Sequence, residues 1–256
     1  MNTKIKSNLN QLLTQWHRGA VYVQTYLSQL GYYHDLIKSY RRNGWLVSIG
    51  TGAFKLAGDR VDWFGGLYAL QQQLKLPVHV GGRTALELKG FSHYGRTGLE
   101  KCFLYAPSGT RLPKWFLQYD WGVDIHYKGT NLFPPTLTAG FSSYTHKELT
   151  VKISAPERAA MEMLYYVPSD QGFGEAIKIM ESLMSLRPKI VQTLLENCRQ
   201  IKVKRLFLYI ADKLDLPWLK NLDMNRIDTG KGKRVVAVNG RLDKKYLITV
   251  PKENLV

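Results

Sequence analysis

Glycines at positions 31, 44, 50 and 52 cut residues 24–56 into pieces too short for anything but two small helices and a hairpin. This punctuation constrains the fold more than any other feature. After an extended piece at Val21 to Val23, a helix capped by Thr25 is expected to stop at Gly31, and a second runs from about Tyr33 to Asn43. Leu27 and Leu30 supply the inner face of the first, and Leu36, Ile37 and Tyr40 that of the second. The run WLVSIGTGAFKL then alternates apolar with small or polar residues on either side of a Gly-Thr-Gly tip, which predicts a two-stranded hairpin. Upstream, Ile5, Leu9, Leu12, Leu13 and Trp16 fall on one helical stripe between Asn2 and Gly19, with Asn2 or Thr3 placed to cap it. Three helices followed by a hairpin are the element order of a winged helix-turn-helix, here residues 1–58.

In that arrangement the second helix of the pair enters the major groove of DNA. Its side chains not used for packing are Tyr33 at the start, then His34, Asp35, Lys38, Ser39, Arg41 and Arg42. Lysine and arginine neutralise phosphates or make bidentate contacts to guanine, while Ser, His and Tyr donate to phosphate oxygens or base edges. Lys55 is expected to reach the DNA backbone from the wing. The bland alternative is a protein-interaction module whose arginines form a solvated face, and such a module would show no salt-dependent affinity for duplex DNA.

Charge favours a polyanionic partner. The 256 residues hold 36 Lys and Arg against 20 Asp and Glu, a net of +16, and the excess lies at the ends. Residues 1–60 carry +6, residues 61–198 only +2, and residues 199–256 carry +8. Two basic surfaces flanking a nearly neutral middle are therefore expected. At 45% hydrophobic and 22% charged the chain reads as globular, long enough for two domains, with the second spanning 59–256. It shows neither a secretory h-region nor a span of about 20 apolar residues, and its two cysteines, Cys102 and Cys198, form no disulfide framework. A cytoplasmic protein without membrane partners is expected.

Past Asp59 the pattern is mixed. Asp59 to Leu76 looks helical, with Trp63, Leu67, Leu70 and Leu74 inward, although Gly65 and Gly66 weaken it. A short strand at Val78 to Val80 turns through Gly81 and Gly82 into a helix whose N-terminus suits an anion. Strands are expected at Lys101 to Ala106, Gly122 to Tyr127 and Glu148 to Ser154, and a helix at Ala155 to Tyr165. From Gly172 the pattern turns helical, with Ile190, Val191, Leu194, Leu195 and Cys198 on one stripe, which makes Cys198 a core residue. The tail pairs Val235 to Val238 with Tyr246 to Val250 as a hairpin around Asn239-Gly240. The whole is α+β: an N-terminal winged helix-turn-helix followed by a mixed α/β part.

No catalytic constellation stands out. The histidines at 17, 34, 79, 93, 126 and 146 lack metal-ligand spacing, Asp120 and Asp124 have the look of surface or capping carboxylates, and neither a P-loop, a dinucleotide motif nor a nucleophile elbow is present. No metal and no cofactor are expected. The C-terminal basic residues Lys202, Lys204, Arg205, Lys231, Lys233, Arg234, Arg241, Lys244 and Lys245 form the candidate second surface. Glycines among those cations let backbone amides approach an anion, which leaves open a nucleotide-processing site, an RNA-binding face or a docking face for a partner protein.

Three segments carry a family resemblance: the winged-helix pattern, GGRTALELKG, and above all the run from KVKRLFLYIADKL to GRLDKKYLITVP. Together they resemble the AbiEi family of bacterial type IV antitoxins, tied to abortive infection by phage. The resemblance implies an N-terminal domain that represses its own promoter at inverted repeats. It also implies a C-terminal antitoxin domain that counteracts an AbiEii-like nucleotidyltransferase toxin without needing a stable complex with it, and no enzymatic activity of the antitoxin itself. By position it makes Tyr33 to Arg42 the DNA-reading helix, Val47 to Leu56 the wing, and Lys202 to Arg205 with Lys231 to Lys245 a basic surface. The aromatic Tyr32-Tyr33-His34 lead into that helix departs from the smaller polar residues ordinary there.

Overall fold

The computed structural model describes residues 2–91 and 101–252, with side chains in the first helix from Asn8 onward. The side chains of Asn2, Thr3 and Ile5, and all of His93, lie outside the described residues. Helix α1 (Asn2–Gln15) leads to β1 (Tyr22–Val23), α2 (Gln24–Gln29), α3 (His34–Arg42), β2 (Leu46–Gly50) and β3 (Ala53–Leu56). The strands form a sheet ordered β1-β3-β2, antiparallel throughout, with Val47 opposite Lys55. Helix, strand, two helices and a hairpin is the order the glycine punctuation predicts. Leu12, Trp16, Leu27, Tyr32, Ile37, Tyr40, Leu46, Phe54 and Leu56 close a compact apolar cluster inside it.

Two details differ from the sequence reading. Helix α2 starts from Val23, in extended backbone and without a side-chain cap, rather than from Thr25. Leu30 is 42% exposed: the positive φ of Gly31 turns the chain out of the helix, and the neighbouring Tyr32 fills the interior place.

The middle of the chain begins with α4 (Trp63–Tyr68), capped by Asp62, whose Oδ1 accepts from the amides of Phe64 and Gly65. A π-helical turn, Ala69–Gln73, follows it. Gly65 is required here, because a Cβ on it would sit 1.9 Å from the carbonyl oxygen of Gly19. Next come β4 (His79–Val80), α5 (Gly82–Leu88), β5 (Lys101–Pro107), α6 (Lys114–Gln118), β6 (Asp124–Thr130), β7 (Phe141–His146) and β8 (Leu149–Ser154). Their five-stranded sheet has the order β6-β5-β4-β8-β7, with β5 parallel to β6 and β4 parallel to β8. Strand β7 was not expected from the sequence; its Ser, Tyr, Thr and His content fits a half-exposed edge paired only with β8.

Helix α7 (Pro156–Tyr165) packs against β8, and α8 (Phe173–Glu181), α9 (Pro188–Asn197) and α10 (Ile201–Lys213) pack in turn against α7 within one apolar core. Cys198 is buried in that core, as expected, and burial pushes its thiol pKa up to about 11. After two 3-10 turns, Pro217–Asn221 and Met224–Arg226, the tail forms β9 (Arg234–Val235), β10 (Arg241–Asp243) and β11 (Ile248–Val250). The expected hairpin between Val235 to Val238 and Tyr246 to Val250 is not formed. Instead β11 lies in the middle, antiparallel to β10 and parallel to β9, because its Ile248 and Val250 are the residues buried against the core. The architecture is α+β.

Candidate nucleic-acid interface

Helix α3 packs by one stripe. Ile37 and Tyr40 are buried and Leu36 is half-buried, while Tyr33, His34, Asp35, Lys38, Arg41 and Arg42 are exposed and Ser39 is half-exposed. All the recognition residues read from the sequence on this helix therefore share its outward side. Among the described residues no carboxylate lies within 4 Å of the Lys38, Arg41 or Arg42 cation; the only ion pair on the helix is the 3.7 Å contact of His34 with Asp35. Arg41 rests its guanidinium carbon 5.7 Å from the Phe54 ring centre, and Asn43 Nδ2 donates to Ser39 Oγ at 3.4 Å. Tyr33, 69% exposed at the N-cap, stands as an aromatic plate at the start of this cationic face. Leu30, Trp45 and Val47, also exposed, add apolar surface that the sequence reading had not marked.

The wing is placed otherwise than expected. A bulge between Ser48 and Gly50 turns its tip onto α6, where the Gly50 backbone lies so close to Trp115 that an added Cβ would meet the Trp115 Cβ at 2.6 Å. Ile49 and Ala53 are buried in the same cluster as Val21, Trp115, Leu104 and Phe207, so the hairpin is fastened to the middle of the chain. Lys55 is half-buried and donates from Nζ to the Asp59 carbonyl at 3.0 Å. It serves as a clasp for the turn after β3 rather than as a free reach to a phosphate.

The second basic group divides in two. Lys204 and Arg205 are 3% and 1% exposed and form no part of a surface, while Lys202 is half-buried. Lys202 Nζ donates to the Val167 carbonyl at 2.8 Å and Lys204 Nζ to that of Asp228 at 2.9 Å. The Arg205 guanidinium donates to the carbonyls of Thr229, Gly230, Gly232 and Leu247. Desolvation, with the Arg234 charge nearby, depresses the Arg205 pKa, and burial lowers that of Lys202. For Lys204 and Arg205 the reason is their position on α10, every residue of which from Val203 to Ala211 is buried. A cation on such a helix must satisfy its donors internally. The loop Arg205 holds is the one that carries Lys231, Lys233 and Arg234. Of the remaining set, Lys231, Lys233, Arg241 and Lys244 are exposed, Arg234 donates back to the Lys231 and Lys233 carbonyls, and Lys245 pairs with Asp212 at 2.8 Å.

The N-terminus of α5 holds an internal anion. Gly82 N donates to Glu162 Oε2 at 3.1 Å, and the same carboxylate accepts from Ser154 Oγ, Arg158 Nε and His79 Nε2. Asp120 caps a turn, accepting from Gly122 N, and Asp124 accepts from His126. Among the described residues no three His, Cys, Asp or Glu side chains gather in a way that would hold a metal ion, and no helix is long and apolar enough to cross a membrane.

Residues 5–97 match the family model described as the transcriptional regulator AbiEi antitoxin N-terminal domain, and residues 99–251 match that of the transcriptional regulator AbiEi antitoxin of type IV toxin–antitoxin systems. Among curated proteins no sequence match is found. The crystal structure of the RV2827C protein from Mycobacterium tuberculosis superposes with a TM-score of 0.59 at 14% identity, over 96% of this chain and 90% of that one. At that identity the likeness is one of fold.

Proposed function

The chain belongs to the AbiEi antitoxin family of transcriptional regulators, and from that premise we propose that it represses its own toxin–antitoxin operon by laying α3 in the major groove at inverted repeats of the promoter. The observation that carries this reading is the outward face of α3, where Lys38, Arg41 and Arg42 stand exposed beside His34 and Ser39, without carboxylate partners among the described residues. Residues 1–58 form the DNA-reading unit, with α3 rather than the wing making the contacts, because the wing tip is engaged with Trp115. Residues 59–256 then counteract a nucleotidyltransferase-class toxin, by an action that needs no catalysis in this chain. Such a role places the protein in the cytoplasm.

The test is binding of the full chain to its own upstream DNA against a scrambled duplex at two salt concentrations, with the Lys38→Ala, Arg41→Ala, Arg42→Ala triple variant beside it. Sequence-preferring, salt-sensitive binding that the variant loses is the expected result, whereas equal weak binding to both duplexes would sink the reading. Co-expression with the cognate toxin separates the two activities, since the triple variant should still protect cells while failing to repress. A second reading, RNA or partner-protein binding by the tail, is favoured by the exposed Lys231, Lys233, Arg241 and Lys244. It predicts that replacing these four impairs protection and leaves operator binding intact.

A further inference from the structure

A cavity of about 230 Å³ lies where the end of α1, helix α2 and the π-helical turn after α4 meet, lined by Gln15, His17, Tyr22, Tyr26, Tyr68 and Gln72. Among the described residues no lysine, arginine, aspartate or glutamate lines it. About 150 Å³ suffices for one benzene ring inside a protein, so there is room here for a second, fused ring. Part of the wall is already engaged. The Gln73 amide donates to the Val21 carbonyl at 2.7 Å and accepts from Val23 N at 2.9 Å. Tyr22 stacks on Trp16, and its hydroxyl donates to the Gln15 carbonyl at 3.0 Å and accepts from His17 N at 3.3 Å. The other groups are not engaged: among the described residues neither the Tyr26 and Tyr68 hydroxyls nor the Gln15 and Gln72 side-chain amides make a hydrogen bond. The Tyr26 and Tyr68 rings meet other rings only tilted or edge-on, at 6.0 and 5.9 Å, so neither is stacked. Burial pushes the Tyr22 pKa up to about 12 and raises that of Tyr68, and in both the neighbouring phenols add to the effect, as three hydroxyls drawn close together would. In an α-helix Tyr68 and Gln72 share a face, and the wider π turn brings Gln73 round to it as well.

We propose that this cavity binds a free nucleobase of purine size, its rings against Tyr26 and Tyr68 and its edge met by the two hydroxyls and the Gln15 and Gln72 amides. Hydroxyls and primary amides each donate and accept, which suits a flat, neutral heterocycle whose edge carries both kinds of group. The uncharged lining disfavours a nucleotide, because nothing there would meet its phosphate. None of these residues belongs to the α3 face, so the site is separate from the one that would read DNA.

The experiment is equilibrium dialysis of the full chain at physiological salt, with adenine as probe, indole as a flat two-ring molecule without acceptors on its edge, and AMP as the same base carrying a phosphate. Adenine should bind once per chain, about tenfold or more tighter than indole, and AMP should bind more weakly than adenine. The double variant Tyr26→Phe, Tyr68→Phe keeps both rings and removes both hydroxyls, while Gln72→Leu alters an exposed position. Each should weaken adenine binding about fivefold or more. Equal binding of adenine and indole would reveal an apolar crevice without recognition of the edge, and would overturn the proposal. AMP binding as tightly as adenine would put the base of a nucleotide or of a nucleic-acid strand there instead, and would overturn it too. So would undiminished binding by both variants, or no adenine binding at about 2 mM.

Discussion

Helix α3 carries three lysines and arginines and α10 carries four, and the two helices use most of them differently. On α3, Lys38, Arg41 and Arg42 point into solvent beside a single buried stripe; on α10, Lys204 and Arg205 turn inward and tie the tail to the core, Lys202 is half-buried and donates to the Val167 carbonyl, and only Lys213, at the end of the helix, is exposed. Net charge in a sequence window does not distinguish the two cases. The surrounding apolar pattern does: α3 has Leu36, Ile37 and Tyr40 on one side only, whereas in VKRLFLYIA seven of nine residues are apolar and cover every direction around the helix. A helical stretch apolar all round is buried, and the cations within it, here Lys204 and Arg205, are buried with it.

The sharpest way to break this comparison is to remove one cation of each kind without changing its bulk. Arg205→Met would leave the Thr229, Gly230 and Gly232 carbonyls without their side-chain donor, while that of Leu247 keeps the Arg234 amide, and should destabilise the fold by about 3–5 kcal/mol. Lys38→Met, in solvent, should stay within about 0.5 kcal/mol. Urea unfolding of the two variants reads this directly, and equal losses would end the distinction. In DNA binding the order reverses. If each α3 cation meets a phosphate, the Lys38, Arg41, Arg42 triple alanine should flatten the salt dependence of log K by about 0.9 per residue, whereas Lys204→Met should leave it unchanged in whatever fraction remains folded.

The wing sharpens the same contrast at smaller scale. Gly50→Ala forces a Cβ against Trp115 at a residue whose φ is +154°, and should cost roughly 1–3 kcal/mol. Thr51→Ala, at the exposed tip one residue on, should cost about 0.5 kcal/mol or less. Differential scanning calorimetry compares the two; similar Tm values would mean that the wing is not fastened to α6.

What the sequence makes legible here is local. The stop at Gly31, the Gly-Thr-Gly tip, the α3 stripe and the Val191, Leu194, Leu195 stripe of α9 each depend on neighbours a few residues apart, and the structure places them as read. The parts that escaped are long-range. Trp115 meets Gly50 across 65 positions, His79 meets Glu162 across 83, and β11 takes its central place because of a core that α10 helps to build. Of the candidate site, the α3 residues were readable because an amphipathic helix declares its outer face. Lys55 and the α10 cations were not, since whether a basic side chain meets solvent or a carbonyl depends on which distant loop folds over it.

The His79–Glu162 pair extends the comparison to the nearly neutral middle of the chain, where charge is also interior, and it predicts the smallest effect. Burial is the largest influence on His79 and holds its pKa below 6.5 in spite of the nearby carboxylate. Burial alone would raise the Glu162 pKa, but the His79, Arg158 and Ser154 donors outweigh it and bring the value below 4.5. The two signs agree. Below about pH 6.5 the unfolded chain takes up a proton at His79 that the folded chain resists, and below about pH 4.5 the same holds at Glu162, so each contributes stability at neutral pH that is lost on acidification. Urea midpoints should therefore fall between pH 7.5 and pH 5.5 in the parent protein. They should fall less in His79→Gln, which keeps a donor to Glu162 but has no proton to gain; an equal fall in both would assign the acid sensitivity to groups elsewhere on the chain.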